Sequence, residues 1–359
     1  MLTAMPEKKS EFEKRLRTMQ RWEAPSSWRC IETIEAHTGG EPLRIIISGL
    51  PPIKGQTILQ KRAYLKTHLD HLRTALMWEP RGHADMYGCI ITPPVAKNSD
   101  FGVIFLHNEG YSTMCGHGII AVTKAALETG LIRANGTEVT LRIDSPAGLI
   151  TSIAQIRRGK VQSVRFLNVP SFVQTLDAVV DVPGLGRIRY DLAYGGAFYA
   201  FVHAEDASVT MDAAGYRGLI ERGMMIKRAV MQSVAMQHPF EPELNFLYGT
   251  IFTGPGHTTG ADSRNVCIFA DGEVDRSPTG TGVSARMAIH HARGALRIGE
   301  PMAIESITGS RFVCRVHATT TYGNYPAVIP AIEGTAHLCG KSSWIIDPAD
   351  SLRDGFFFR

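Results

Sequence analysis

Met114-Cys-Gly-His-Gly-Ile-Ile-Ala and, 164 residues later, Pro278-Thr-Gly-Thr-Gly-Val-Ser-Ala follow one grammar. Each comes after strand-rich sequence, carries G-x-G, and opens a helix of small and apolar residues. The first helix continues through Ile119-Ile-Ala-Val-Thr-Lys-Ala-Ala-Leu-Glu, and Gly130 ends it. The second continues through Val283-Ser-Ala-Arg-Met-Ala-Ile-His-His-Ala-Arg, and Gly294 closes it. The separation is nearly half the chain, as expected of two similar α/β halves facing each other. Helices this apolar are normally buried on most sides. Each is therefore expected inside a curved, mostly antiparallel sheet.

Working outward, Ile31, Thr33 and Ile34, then Leu43-Arg-Ile-Ile-Ile, read as two β runs around His37-Thr-Gly-Gly. Leucines 59, 65, 69, 72 and 76 recur at helical spacing apart from one wider gap, which predicts a helix over 56–77. Strands are expected at 87–92 and 101–107, then at 137–143, 148–156 and 161–168. In the second half they are expected near 190–202, 247–252 and 265–270, with more to about 339. Residues 1–28 read as an appendage, with Phe12, Leu16 and Met19 on a short amphipathic helix over 9–22. The expected division is 29–192 for the half with the Cys loop and 193–339 for the half with the Thr loop. Residues 340–359 are expected to return to the first half.

Composition narrows the class. The 359 residues are 44% apolar and 20% charged, a globular mix. Glycine supplies 35 positions, close to one in ten against a usual ~7%. The formal charge of +4, without a run of like charges, gives no signature of nucleic-acid binding. No stretch approaches the ~18 apolar residues of a membrane span. The N-terminus is too charged for a secretion signal, and Glu7, Glu11, Glu13 and Glu23 argue against a transit peptide. A cytoplasmic protein is expected. Six scattered cysteines without a CxxC pair make neither a disulfide framework nor a zinc site. Cys89, Cys267, Cys314 and Cys339 read as core residues.

Cys115 stands at a helix N-terminus, where unpaired N–H groups and the helix dipole favour a thiolate; a protonated His117 would add to this. The bare N–H groups also suit a carboxylate. Thr279 holds the matching place in the second loop, with Gly280, Thr281 and Gly282 behind it. Two sets of donors facing each other can grip one carboxylate, and Asp275 can pair with a cationic amine. An amino or imino acid substrate follows.

These residues carry a resemblance. Met114-Cys-Gly-His-Gly together with Asp275-Arg-Ser-Pro-Thr-Gly-Thr-Gly resembles the proline racemase family. Asp144-Ser-Pro-Ala-Gly-Leu, Asn168-Val-Pro-Ser-Phe, Asp191-Leu-Ala-Tyr-Gly-Gly-Ala-Phe-Tyr-Ala and Ser263-Arg-Asn support it, over about 30–340. The resemblance implies a diaminopimelate-epimerase-like fold, no metal or organic cofactor, and a homodimer. It implies that Gly116, His117, Gly280 and Thr281 line the substrate carboxylate and amine, and that Asp275 holds the ring nitrogen. Racemases and epimerases of the family have a cysteine at each loop. Here the second is Thr279, the pattern of the family's trans-3-hydroxy-L-proline dehydratases, so a hydro-lyase is expected. Its rivals are a hydroxyproline 2-epimerase or proline racemase using a water held by Thr279, and a non-catalytic imino-acid-binding protein. A binder has no need of the helix-end thiol. A thiol hydrolase is disfavoured, because no third group orients His117.

Other histidines receive structural readings. His68 and His71 lie on a polar helix face, His290 and His291 at an exposed helix end, and His37 within reach of the cleft.

Overall fold

The computed structural model describes residues 5–358. Residues 1–4 and 359, at the ends of the expected terminal segments, lie outside the described residues.

The chain runs α1 (Met5–Gln20), β1 (Arg29–Thr38), β2 (Glu41–Ser48), α2 (Ile58–Tyr64), a π-helical turn (Leu65–Leu69) and α3 (Asp70–Met77). It continues with β3 (Tyr87–Thr92), β4 (Phe101–His107), α4 (Gly116–Glu128), β5 (Glu138–Ser145), β6 (Gly148–Arg157) and β7 (Lys160–Leu167). Then come β8 (Ser171–Val182), β9 (Gly186–Tyr194), β10 (Phe198–His203), α5 (Tyr216–Ser233), β11 (Leu247–Gly254), β12 (Ser263–Phe269) and β13 (Glu273–Val274). The last elements are α6 (Gly280–Ala292), β14 (Met302–Glu305), β15 (Arg311–Tyr322), β16 (Tyr325–Gly334) and β17 (Ala336–Ile346).

The two halves repeat one plan. In the first, β1 through β7 and β17 curve around α4, whose main neighbours are β7, β1 and β17. In the second, β8 through β12 and β14 through β16 curve around α6, packed on β8, β16, β9 and β15. Pairing is antiparallel except where a helix crosses over. β2 and β3 are parallel across α2–α3, and β4 and β5 across α4. β10 and β11 are parallel across α5, and β12 and β14 across α6. β16 belongs to both halves: it pairs with β15 and β8 in the second and, at Ala331–Gly334, with β7 in the first.

The central helices are buried because nearly every side chain is small or apolar. In α4 only Lys124 and Glu128 reach partial exposure, and their charges meet each other at 3.2 Å. Ile119, Ile120 and Val122 are fully buried, each contributing about 1.5–3 kcal/mol of hydrophobic stabilisation.

Several expectations change. β8 and β9 pack on α6, so 171–192, expected in the first half, lies with the second. Strand periodicity says which face is apolar but not which helix that face will cover. The run 190–202 breaks at Gly195-Gly196 into two strands; a Cβ on Gly195 would strike the Thr281 carbonyl at 2.2 Å. The single helix over 56–77 is three segments, with the π turn between Leu65 and Leu69, just after the wider gap between leucines. Helix α5 was not anticipated, because two glycines interrupt its pattern. Gly223 is there so that α5 can press on β12; a Cβ would sit 2.7 Å from Ile268. On α1, Phe12 and Met19 remain 61% and 74% exposed, so that helix is not held by its apolar face. Cys339 is exposed, on the outward side of β17, rather than in the core. After β17 the chain returns to α3: Phe356 N–H donates to the Glu79 carbonyl at 2.8 Å, and Phe357 stacks on Trp78.

Candidate active site

The two glycine loops bring the N-termini of α4 and α6 into backbone contact. A Cβ on Gly116 would lie 2.5 Å from Gly280 Cα, and one on Gly280 would lie 2.4 Å from Gly116 Cα. Glycine is required at both positions by this approach.

Cys115 caps α4. Its backbone is extended (φ −144°, ψ 110°), and its Sγ accepts the Gly118 N–H at 3.2 Å. Thr279 precedes α6 with φ +67° and ψ 92°, and makes no side-chain cap. A β-branched residue in that region carries strain of about 1–3 kcal/mol. Between the loops is a cavity of ≈ 20 Å³, about one water's worth of space. A five-membered ring bearing a carboxylate does not fit, so the halves must part to admit one. All seven site residues expected from the sequence line this cavity: Cys115, Gly116, His117, Asp275, Thr279, Gly280 and Thr281.

His117 is fixed by two contacts. Its Nε2 lies 3.3 Å from the Pro42 carbonyl, which only accepts, so Nε2 carries the hydrogen. The Nδ1 lone pair then faces Cys115 Sγ at 3.1 Å. Burial pulls the imidazole down to about 3, so it is neutral. Burial also pushes the Cys115 thiol well above its usual range, helped by the nearby Asp275 and Glu41 carboxyls and opposed by the Gly118 N–H. The resting pair is thus a neutral thiol against a neutral imidazole. The sequence reading of a resting thiolate beside protonated His117 is corrected: desolvation outweighs the helix end.

Asp275 is buried, and burial raises its carboxyl to about 6. The Ser277 side chain opposes that shift, as does the Ser277 N–H, which donates to Oδ1 at 2.7 Å. The Thr279 hydroxyl is close enough to favour the charged form without completing a hydrogen bond, and Oγ1 stays buried without a partner. The first half pins this loop. Glu41 Oε2 accepts the Arg276 N–H at 2.7 Å, and Asp85 pairs with the Arg276 guanidinium at 2.7 Å. Burial raises Glu41 well above the carboxylate range.

Sequence reasoning missed the aromatic wall. Tyr87 stands edge-on to His117 at 4.9 Å and bonds Ser112. The Tyr199 hydroxyl bonds Thr281 Oγ1 at 2.7 Å. Tyr248 stacks on Phe269 at 5.3 Å. Tyr248 also borders an outer cavity of ≈ 310 Å³ whose cations are Arg62, Lys66, Arg73 and Lys227. Tyr87, Tyr248 and Phe269 are ordinary strand residues in sequence, and Tyr199 lies in a segment that marked the family without marking the residue.

His37 does not line the cavity. Its Nδ1 accepts the Gly40 N–H at 3.3 Å and its ring stacks on His337, its direct partner in the β1–β17 register. His290 is part-buried rather than exposed, set against Arg286 at 3.2 Å. His68 stacks on Tyr64. Among the described residues, no three His, Cys, Asp or Glu side chains are grouped to hold a metal, and no helix is long and apolar enough to cross a membrane.

The family model described as "Proline racemase" matches residues 33–357. The chain is 48% identical over 333 residues to the trans-3-hydroxy-L-proline dehydratase of Colwellia psychrerythraea, covering 93% of this chain and 94% of the relative. It is 47% identical over 331 residues to the 3-hydroxyproline 2-epimerase of Burkholderia multivorans, covering 92% and 99%. The crystal structure of a hydroxyproline epimerase from Agrobacterium vitis with bound trans-4-OH-L-proline superposes with a TM-score of 0.88 at 34% identity, over 93% of this chain and 96% of that one. The diaminopimelate-epimerase-like architecture expected from the resemblance is the one the chain adopts.

Proposed function

The chain belongs to the proline racemase family, and from that premise we propose that it dehydrates trans-3-hydroxy-L-proline to Δ1-pyrroline-2-carboxylate and water. Relatives at the same identity carry both dehydratase and epimerase names, so identity alone does not choose between them. The observation that carries the choice is Thr279 opposite Cys115. Cys115 is the one thiol lining the cavity; Cys267 lies behind Thr279 and outside the lining. A threonine hydroxyl does not exchange protons near neutral pH as a thiol does. Proton delivery to the far face therefore has no agent, and racemisation stalls after Cα deprotonation.

In this reading the substrate carboxylate sits at the two helix N-termini, on N–H groups around Gly116, His117, Gly280 and Thr281. These donors stabilise the enolate-like charge as it develops. Asp275 holds the ring ammonium. The Cys115 thiol passes its proton toward His117 Nδ1 once the ammonium is in place, and the thiolate removes the Cα proton. In the trans-3-hydroxy-L isomer the C3 hydroxyl is on the same face as that hydrogen. The newly formed Cys115 thiol is thus on the correct side to protonate the departing hydroxide. The C2–H and C3–O bonds break, C2=C3 forms, and the enamine rearranges to the imine. All of these groups belong to the chain or the substrate, which makes the reaction cofactor-independent. The family resemblance supports a homodimer, which sedimentation of the purified protein tests, and the charged N-terminal sequence supports a cytoplasmic location.

Incubation with trans-3-hydroxy-L-proline, trans-4-hydroxy-L-proline and L-proline is the direct test. Imine is expected from the 3-hydroxy compound alone, with no change of configuration at C2 in the others. Accumulation of a 2-epimer without imine would move the chain to the epimerases. Binding of all three compounds without turnover would leave the non-catalytic reading.

Asp275 gives a pH signature. It must be ionised to hold the ammonium, so kcat/KM is expected to fall tenfold per pH unit below about 6. Stability moves the other way. A carboxyl raised in the folded state contributes stability at low pH that is lost as pH rises through about 6. Asp275→Asn should therefore match wild type in stability below pH ~4 and exceed it above pH ~6, by up to about 3 kcal/mol. Urea unfolding of both proteins at pH 4 and pH 7.5 checks this, and a constant difference would contradict it.

A further inference from the structure

Three tyrosine hydroxyls border the site, and two are committed. Tyr87 is bonded to Ser112 and Tyr199 to Thr281. The Tyr248 hydroxyl oxygen is buried and closes no hydrogen bond; Tyr87 is near enough to affect it electrostatically, but its own bond goes to Ser112. A buried hydroxyl left without a partner carries a desolvation cost, which a ligand group can remove. We propose that Tyr248 holds the ring hydroxyl of the substrate and donates a hydrogen bond to that oxygen as it leaves.

The inference rests on the dehydratase reading and proceeds by matching groups. The substrate brings three polar groups into the cavity. Its carboxylate has the helix ends, and its ammonium has Asp275. The C3 hydroxyl remains, and two buried hydroxyls without partners are available to it: Tyr248 and Thr279 Oγ1. Thr279 stands on the loop opposite Cys115, against the other face of the ring. The hydroxyl shares the Cα–H face with Cys115, and Tyr248 lines the same small cavity as Cys115. Burial pushes that phenol far up, so it stays a donor at any working pH.

Proton bookkeeping is unchanged. Hydrogen passes from C2 to Cys115 and from Cys115 to the departing oxygen, while Tyr248 keeps its own proton throughout. Its hydrogen bond strengthens as charge gathers on the oxygen, the condition for a contribution to rate rather than to binding alone. L-proline leaves the Tyr248 hydroxyl unpaired, which adds discrimination against it.

The test uses the full chain in D2O, comparing wild type with Tyr248→Phe on trans-3-hydroxy-L-proline. Imine formation is followed together with deuterium at Cα of the recovered substrate. The variant is expected to lose about 10²-fold in kcat, within the range for removing one charge-stabilising donor. Its ratio of Cα exchange to dehydration should rise at least about tenfold, since proton removal continues while departure slows. The melting temperature should hold or rise, because the deleted hydroxyl had no partner. A variant with kcat within about twofold of wild type overturns the inference. So does a parallel fall of exchange and dehydration, which would place Tyr248 in proton removal or in the fold. A wild type that forms no imine overturns the dehydratase reading itself, an outcome read before the variant is made.

Discussion

Cys115→Ser is expected to abolish dehydration while leaving the fold in place. The two roles of this residue separate cleanly. As a cap, Sγ accepts the Gly118 N–H, and serine is among the best residues for that position. As a base, the thiol can shed its proton toward His117 Nδ1 at 3.1 Å, whereas a serine hydroxyl at the same place cannot be ionised by a neutral imidazole. Removing a general base costs about 10²–10⁴-fold, so kcat should fall by at least that much. The melting temperature should move by no more than a few degrees. Imine formation and thermal unfolding on the same preparation test both halves of the statement. Retained turnover would remove Cys115 from the mechanism. Lost turnover with a collapsed melting curve would make it a structural residue.

Gly116→Ala is the second large effect, and here stability and activity should part company. The added methyl would lie 2.5 Å from Gly280 Cα and 3.0 Å from Phe166 Cζ. Backbone atoms in two buried helices have little room to yield, so the halves should be held apart at the point where the substrate is clamped. A misplacement of about 1 Å is enough for a 10²-fold loss, and kcat/KM is expected to drop by at least that factor. Gly116 opens α4 without a positive φ, so alanine adds no backbone strain of its own. The variant should therefore remain folded. Activity equal to wild type would mean that contact between the helix ends is not the working geometry.

Much of this site was readable from residues 114–118 and 275–282. Glycine, cysteine and threonine at fixed offsets before apolar helices have a local physical meaning, which survives whatever surrounds them. The aromatic wall has no such local mark. Tyr87, Tyr199, Tyr248 and Phe269 sit in four different strands, and only the closing of both sheets brings them to one cavity. The proton states were equally hidden. A helix end argues for a thiolate, and it took the depth of burial around Cys115 and His117 to reverse that. The fold shows the same division. The strands before the first loop, 87–92 and 101–107, match the structure residue for residue. The assignment of 171–192 failed because both halves use strands of the same pattern. Which central helix β8 covers depends on a partner 155 residues away, where Phe172 pairs with Ala327 of β16.

The pairing of β1 with β17 has a consequence for the order in which this protein is made. Arg29 through Thr38 find their partners in Ala336 through Ile346, made about 300 residues later. At about 5–20 residues per second, roughly 15–60 s separate synthesis of the two strands. During that interval α4 lacks one of its walls, and the edge of β1 that β17 will cover is bare on a nascent chain. The half that carries Cys115 is therefore begun before the strand that seals it is made. A chaperone that shields exposed strand edges would find its natural client in this window, before the finished protein exists.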